Sequence, residues 1–316
     1  MVGAAVEPGS GMMLAFVPSP GSEGGVVLRE VPDPVAQEGQ ALVAVEAYSI
    51  NRGEIYLLEA PRAGWRPGQD VAGHVLVPAA DGSGPSAGAR VVGHAWAGGW
   101  APRVAVATGS LAVLPGAVSS VVAATLPLAG LTAVRLLRAA GPLVGRRVLI
   151  TGASGGVGHF VVELAVGQGA EVIAVSASAE RGERLRALGA EVVGGVADAE
   201  GPFDIAFESV GGESLATVLK LMSPRGTVFW LGQASLHPTE IDFFAVPGRV
   251  AIRHFTYWPH DEPDRIDLST LVALVAGDRL HPEIGLRAEW RDTPAALIAL
   301  RDRRIRGNAV LTINET

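Results

Sequence analysis

The fold is decided by the stretch Leu149–Val175, which reads LITGASGGVGHFVVELAVGQGAEVIAV. Its spacing predicts an apolar strand over 147–151, a helix over 156–167 and a second strand over 171–175, with a turn of small residues after the first strand. Small residues let the backbone approach a pyrophosphate, and the helix N-terminus offers that anion unpaired N–H groups and a partial positive charge. The alternative is a tight strand-to-helix turn that binds no ligand. We expect a dinucleotide to contact the whole G-x-G-x-x-G-like turn, which consists of Ala153, Ser154, Gly155, Gly156, Val157 and Gly158.

The end of the second strand indicates which dinucleotide is bound. Ser176 and Ser178 stand where NAD-specific proteins carry an acidic residue that accepts hydrogen bonds from the ribose. Arg181 follows closely enough to pair with a 2′-phosphate, although Glu180 beside it would weaken that attraction. The alternative is that Arg181 is a solvated residue of the first helical turn. The sequence therefore predicts NADPH as the cofactor, with Ser176, Ser178 and Arg181 as contacts.

Composition excludes several classes of protein. The 316 residues are 48% hydrophobic and 18% charged, which is typical of a folded globular chain of about two domains. The net charge of −7 disfavours nonspecific attraction to nucleic acid or to an anionic membrane surface. There is no cysteine, so disulfides and thiolate metal sites are excluded. The most apolar run, 118–134, is interrupted by Pro127 and Gly130, and no signal peptide is evident, so we expect a cytoplasmic protein with a loose extension over 1–11.

Hydrophobic patterning divides the chain into two domains. Short β-like segments separated by Gly- and Pro-rich turns fill the region from Met13 to about Leu114, and helical spacing begins near Ser119 and continues to Gly141. Strand and helix patterns then alternate, which is typical of a doubly wound parallel sheet covered on both faces. The sequence predicts an α/β protein with a β domain over 1–120 and 260–316 and a dinucleotide-binding domain over 121–259.

The order of these segments resembles the medium-chain dehydrogenase/reductase superfamily, and specifically its zinc-independent quinone oxidoreductase-like branch. The resemblance implies a GroES-like β-barrel catalytic domain, a Rossmann domain and a substrate cleft between them. It is carried by the segments EVPDP (30–34), SINRGE (49–54), PGQDVAGHV (67–75), LPLAGLTA (126–133), ITGASGGVG (150–158), LRALGAE (185–191), ESVGG (208–212) and RIRGNAVL (304–311).

The resemblance also implies how a carbonyl is polarised. Zinc-dependent relatives hold the metal with Cys and His at positions that are occupied here by 51–53 and 68–70, so we expect no metal site. In the zinc-independent branch an Asn lies near the nicotinamide and a Tyr five residues later often lines the same pocket, and Asn51 and Tyr56 match both. The alternative for Tyr56 is an aromatic residue on the surface of the β domain.

Six further residues are expected to contact the cofactor because of the positions they share with the family. In the family, a Thr lies near the nicotinamide and one loop borders it. Backbone groups that follow two later strands hold the cofactor, and a Lys occurs near the C-terminus. The matching residues are Thr132, Gly211, Gly232, Gln233, Phe243 and Asn308, the last of which replaces that Lys.

These features lead to one functional prediction with two alternatives. We expect a zinc-free, NADPH-dependent oxidoreductase that reduces a conjugated carbonyl, either a quinone or a 2-enone or enoyl compound, by hydride transfer. One alternative is a stand-alone enoyl reductase of a polyketide-type pathway, and the other is an NADPH-binding protein without catalytic activity. The resemblance implies a homodimer, because relatives pair the edge strand near 250–258 across a twofold axis.

Overall fold

The structure is a computed structural model that describes residues 11–258 and 260–314. The expected N-terminal extension, except for Gly11, lies outside the described residues. The chain forms two compact units, of which the first comprises residues up to Leu131 together with those from Asp261 onward, and the second comprises Thr132–His260. The α/β fold class predicted from the sequence is confirmed, with one mainly antiparallel sheet and one fully parallel sheet.

Strands dominate the N-terminal part of the chain. Its elements are β1 (Met12–Pro18), β2 (Val26–Pro32), β3 (Gln40–Ile50), α1 (Arg52–Glu59), β4 (Asp70–Val77), β5 (Arg90–His94), β6 (Arg103–Ala107), β7 (Leu111–Val113) and the short α2 (Ser120–Ala123).

Helices and strands alternate through the middle of the chain. After a π-helical turn (Leu126–Gly130) come α3 (Leu131–Ala140), β8 (Arg147–Ile150), α4 (Gly156–Gly167), β9 (Glu171–Val175), α5 (Ala179–Ala187), β10 (Glu191–Val193), β11 (Phe203–Glu208), α6 (Glu213–Lys220), β12 (Met222–Trp230) and β13 (Ala251–His254).

The C-terminal part returns to the first unit. It consists of α7 (Asp264–Ala276), β14 (Ile284–Glu289), α8 (Thr293–Arg301) and β15 (Asn308–Thr312). The β15 strand pairs with β3 in antiparallel orientation, so the first unit is built from both ends of the chain.

The first unit is organised around a seven-stranded sheet. Six of its strands follow the order β14-β15-β3-β4-β5-β7, and β6 pairs with β3, while β1 and β2 form a separate hairpin. Large apolar side chains fill its core, including the fully buried Phe16, Tyr48 and Trp100. The Tyr48 hydroxyl lies 2.6 Å from Thr293 Oγ1, which satisfies the polar end of this buried ring.

The second unit is a six-stranded parallel sheet with the order β10-β9-β8-β11-β12-β13. From β8 the chain adds β9 and then β10 on one side of that strand, and it then crosses back to add β11, β12 and β13 on the other side. The direction in which strands are added therefore reverses between β8 and β11. Ligands of open α/β sheets bind beyond the carboxyl ends of the strands at such a reversal. The apolar side chains of the strands and of α6 form the core of this unit, among them Leu149, Phe203 and Leu219.

The helical spacing over 119–141 does not produce one helix. It is divided into α2, the π-helical turn and α3, and Pro127 lies at the start of the turn. Proline has no backbone N–H and its ring clashes with the preceding turn, so it fits the first positions of a helix but interrupts a longer one. In the described part of the chain no helix is long and apolar enough to cross a membrane.

Gly158 fixes the approach of α4 to the turn that precedes it, and this can be tested by substitution. A Cβ at Gly158 would lie 2.7 Å from Ala153 Cα and closer still to the Gly152 carbonyl oxygen. We expect Gly158→Ala to lower the free energy of unfolding by about 1–3 kcal/mol, since overpacking outweighs the helix propensity gained. Gly167→Ala in the same helix is the control, because a Cβ there meets nothing within 4 Å. Urea unfolding followed by circular dichroism makes the comparison, and equal stability of the Gly158→Ala variant and the native protein would contradict this packing.

Candidate functional site

The turn after β8 has the shape of an anion-binding site. Gly155 is the N-cap of α4 and has no side chain, so no side-chain cap engages the N–H groups of the first helical turn. Gly155 N–H donates to the Gly152 carbonyl at 3.0 Å, and Ala153 is fully buried beneath the turn. A Cβ at Gly158 would meet backbone atoms of Gly152 and Ala153, so the helix can approach the turn this closely only at a glycine. The structure therefore brings the six predicted turn residues together with exposed helix N–H groups, which fits a pyrophosphate.

Glu208 ties this turn to the next loop at the reversal of strand order. It ends β11, is fully buried, and accepts hydrogen bonds from the Thr151 hydroxyl at 3.1 Å and from the Ser214 hydroxyl at 2.9 Å. The backbone N–H groups of Val210 and Gly211 also donate to it, at 3.1 and 2.9 Å. Four donors compensate a buried carboxylate. The loops that follow β8 and β11 are consequently connected to each other through Glu208.

Three of the family-matched residues, Gly211, Gly232 and Gln233, lie close together in the loops that follow β11 and β12. Gly211 has a φ of 71°, and a Cβ there would meet the Gln233 side chain at 2.8 Å. A Cβ at Gly232 would meet the Ser209 carbonyl oxygen at 2.9 Å. The loops after β11 and β12 are thus in direct contact, and they present backbone groups at the carboxyl edge of the sheet.

Thr132 and Phe243 occupy other parts of the second unit. Thr132 is nearly buried in the first turn of α3. Phe243 lies in a 3-10 turn in the loop between β12 and β13, 81% exposed, and packs edge-on against Phe244 with the ring centroids 5.3 Å apart. The loop offers an aromatic surface, and its assignment to the nicotinamide stays a prediction.

The predicted 2′-phosphate contacts follow β9. Ser178 is the N-cap of α5, and its hydroxyl oxygen accepts the backbone N–H of Arg181 at 3.2 Å. Ser176 is buried, and its hydroxyl lies 3.4 Å from the Ser178 carbonyl oxygen. Arg181 belongs to the first turn of α5, so its backbone lies near the carboxyl end of β9. The structure places all three residues where the sequence predicts them, at the end of the second Rossmann strand.

In the first unit, Asn51 lies at a junction of buried polar groups. It follows β3 and is the N-cap of α1, and its side-chain Nδ2 donates to Asp70 Oδ2 at 2.7 Å. Ser49 Oγ donates to the same oxygen at 2.6 Å, and the Leu128 backbone N–H donates to Asp70 Oδ1 at 2.9 Å. Asp70 is fully buried and Asn51 is only 8% exposed. The amide is therefore held in one orientation by a carboxylate.

A second buried carboxylate, Glu54, organises the same junction. Its oxygens accept the backbone N–H of Asn51 and of Gly68, both at 2.9 Å. Burial, reinforced by the nearby charge of Asp70, raises the pKa of Glu54 to about 8 despite these donors. Burial also raises the pKa of Asp70, and the hydrogen bonds from Ser49 and Asn51 oppose that increase. Both acids therefore hold a proton more readily than an exposed carboxyl group does.

Tyr56 and Asn308 complete the predicted residues of the first unit. Tyr56 lies on α1 and is 40% exposed. Asn308 begins β15 and is buried, with its Nδ2 donating to the Glu283 carbonyl oxygen at 3.2 Å. Asn51 and Tyr56 are thus placed at the start and in the middle of one short helix.

The donor set at Asn51 does not fit zinc. The regions that match the metal-binding segments of zinc-dependent relatives are 51–53 and 68–70, and within them the Asn51 amide nitrogen already donates to the Asp70 carboxyl group. Within residues 11–258 and 260–314, no group of three or more His, Cys, Asp or Glu side chains is arranged to hold a metal ion.

Sequence reasoning missed three buried acids that lie near the predicted site residues, Glu54, Asp70 and Glu208. Each lies next to a predicted site residue or loop, and each is surrounded by N–H or O–H donors. The available signal is positional: Asp70 begins β4 and Glu208 ends β11, and an acid at the end of an apolar strand is a candidate for burial with partners. Glu54 is the third residue of α1, where its carboxyl group can reach back to the Asn51 N–H as in a capping box. Residue type alone does not reveal it, since most acids are exposed.

An α/β protein with this glycine turn and this strand order is a dinucleotide-binding protein of the Rossmann class. The family model for zinc-binding dehydrogenases matches residues 156–270. The chain is 30% identical over 289 residues to quinone-oxidoreductase QR1 of Triphysaria versicolor, covering 86% of this chain and 85% of that protein. It therefore belongs to the quinone oxidoreductase-like branch of the medium-chain dehydrogenase/reductase superfamily, as the sequence predicted.

Two further similarities extend the comparison. The polyketide synthase system protein NorB of Streptomyces orinoci is 33% identical over 307 residues, which is 91% of this chain and only 14% of that protein. A mycobacterial protein whose structure was solved with NADPH superposes with a TM-score of 0.85 at 25% identity, covering 96% of this chain and all of that one.

The raised pKa of Glu54 predicts a pH dependence of stability. The folded protein holds a proton that the unfolded chain, with a carboxyl pKa of 4.5, releases, so the stabilisation is complete below pH 4.5 and is lost as the pH rises through about 8. We expect the free energy of unfolding to fall by up to about 1.4 kcal/mol per pH unit in this window.

Two glutamates of α1 make the test. Glu54→Gln cannot ionise and should flatten the fall, whereas Glu59→Gln, at an exposed position of the same helix, should retain it. Urea unfolding followed by tryptophan fluorescence at several pH values measures both. A Glu54→Gln variant with the native slope would show that another group causes the dependence.

Proposed function

We propose that this protein is a zinc-free, NADPH-dependent reductase of conjugated carbonyl compounds, either quinones or 2-enones and enoyl compounds. The observation that carries the proposal is the Asn51 amide, which is buried and oriented by Asp70 beside α1. In the second unit, the turn at Gly155 and Gly158 supports binding of a dinucleotide. NADPH supplies a hydride when bound, and the solved mycobacterial relative that carries NADPH supports this cofactor.

The residues of the first unit suit a reaction that generates an enolate. Hydride addition to the electrophilic carbon of an enone moves an electron pair onto the carbonyl oxygen, and the negative charge is shared between that oxygen and the α-carbon. Asn51 would donate a hydrogen bond to the oxygen, and Tyr56 would supply the proton that completes the reduction. A neutral amide donor suits this dispersed charge.

A stand-alone enoyl reductase of a polyketide-type pathway is the second candidate. It is favoured by the similarity to NorB, in which 91% of this chain aligns with a small part of a polyketide synthase system protein. Its substrate would be an enoyl thioester, and the chemistry at Asn51 would be unchanged.

A homodimer and a cytoplasmic location stay predictions. The β13 strand is the outermost strand of the parallel sheet, and its Ile252 side chain is 45% exposed, so one strand edge is available for pairing. These features support association through the second unit.

The decisive assay is the loss of NADPH absorbance against quinones, 2-enones and enoyl thioesters, with NADH in parallel. We expect turnover of at least one class, and we expect Asn51→Ala to lower kcat about 100- to 1,000-fold with the NADPH dissociation constant unchanged. Asn314→Ala is the control, because Asn314 is exposed and bonds Glu289. Tight NADPH binding without oxidation by any acceptor would favour the non-catalytic alternative and overturn the proposed reaction.

Arg181 predicts the preference between cofactors. We expect Arg181→Ala to reduce the NADPH preference about 10- to 100-fold by raising KM for NADPH, because one charge-assisted hydrogen bond to the 2′-phosphate is lost. The matched control is Arg146→Ala, an exposed arginine just before β8 at the amino end of the same sheet. Initial rates with both cofactors measure the effect, and an unchanged ratio of kcat/KM values would assign the 2′-phosphate to other residues.

A further inference from the structure

The start of β4 places a carboxylate directly behind the Asn51 amide. Asp70 is the first residue of β4, and it pairs with Ser49 in the antiparallel ladder between β3 and β4. Asn51 lies two residues beyond Ser49, so the ladder brings both side chains to the same carboxylate oxygen. This arrangement is a consequence of strand register, because shifting the pairing by one residue would turn Asp70 to the other face of the sheet.

The carboxylate itself cannot rotate away. Its second oxygen accepts the Leu128 backbone N–H from the π-helical turn at 2.9 Å, and the residue is fully buried. Three donors from two segments of the chain, the end of β3 with the residues that follow it and the π-helical turn, thus hold both oxygens. The Leu128 N–H can only donate, and the Ser49 hydroxyl and the Asn51 amide nitrogen donate to the other oxygen, so Asp70 is the acceptor in all three hydrogen bonds.

An acceptor-only partner selects one of the two orientations of an amide. With Nδ2 toward Asp70, the Asn51 side chain forms a hydrogen bond of 2.7 Å, whereas the flipped amide would oppose two oxygen atoms. The amide nitrogen carries a second hydrogen, and no acceptor for it occurs among the described residues. That hydrogen is the donor a substrate oxygen would meet.

We propose that Asp70 is a positioning residue that fixes the Asn51 amide with its nitrogen toward the substrate oxygen. The inference rests on the proposed reductase function for its kinetic consequence, and on the hydrogen bonds of Asp70 for its structural one. Asp70 touches neither substrate nor cofactor in this role and acts through Asn51.

The kinetic test compares Asp70→Asn with the native protein. An asparagine at this position also offers N–H groups, so both amide orientations of Asn51 become acceptable and the wrong one presents an oxygen to the developing charge. We expect kcat to fall about 10- to 100-fold, with KM for NADPH unchanged. Asp33→Asn is the control, because Asp33 is an acid of the same unit that pairs with Arg103, away from Asn51.

A double-mutant cycle separates positioning from general damage. Asp70→Asn should have no further effect on kcat in the Asn51→Ala background, because its effect operates through the amide that has been removed. Loss of kcat by the same factor in both backgrounds would overturn the inference, as would an Asp70→Asn variant with native kcat.

A measurement that needs no turnover keeps the inference independent of the proposed function. In protein labelled with ¹⁵N-asparagine, the Asn51 side-chain amide is identified by its absence from the Asn51→Ala spectrum. One of its two protons should resonate downfield in the native protein and lose that shift in Asp70→Asn, but not in Asp33→Asn. Absence of the shift in the native protein would overturn the positioning role. If no acceptor is reduced but the shift is present, the reductase function fails and the role of Asp70 in orienting the amide stands.

Discussion

The structure depends on the requirement that a carboxylate removed from water be surrounded by donors. Moving an ionised acid into a protein interior costs several kcal/mol, and the cost is offset only by hydrogen bonds of good geometry. This chain buries Asp70, Glu54 and Glu208, and each organises the backbone next to a candidate binding residue. Glu208 binds the loop N–H groups at the reversal of strand order, while the other two acids hold the end of β3 and the start of α1. The segments that contain the candidate binding residues are therefore ordered by hydrogen bonds to buried acids.

The local pattern was enough to predict the dinucleotide-binding turn. The glycine spacing, the strands on either side and the helix over 156–167 all depend on neighbouring residues, and the structure places α4 at Gly156–Gly167. Gly158 is required because the helix touches the carbonyl of Gly152, a contact made within seven residues of sequence. The position of Ser178 as an N-cap is likewise a local property of the end of β9.

Asp70 could not be predicted in the same way, because its partners are distant in sequence. It receives hydrogen bonds from Ser49 and Leu128, which are separated from it by 21 and 58 residues. The register of β3 and β4 brings Ser49 to Asp70, and the placement of the π-helical turn brings Leu128. The interruption at Pro127 is a related case, since the apolar spacing over 119–141 is helical throughout while the proline lies at the start of a separate π-helical turn. The residue after it, Leu128, donates its backbone N–H to Asp70 from that turn.

In the proposed reaction, the buried acid behind Asn51 would also restrict which substrates the first unit can reduce. A carboxylate polarises the amide N–H that it accepts, but its negative charge opposes the accumulation of a full negative charge on an oxygen nearby. A localised alkoxide, as formed by reduction of a simple ketone, would meet this repulsion without a metal ion to balance it. A quinone or enone disperses the same charge over several atoms, so the charge that develops at the oxygen beside Asn51 is smaller. In the proposed reaction, the pairing of a neutral donor with a buried acid would therefore favour conjugated acceptors over simple carbonyl compounds.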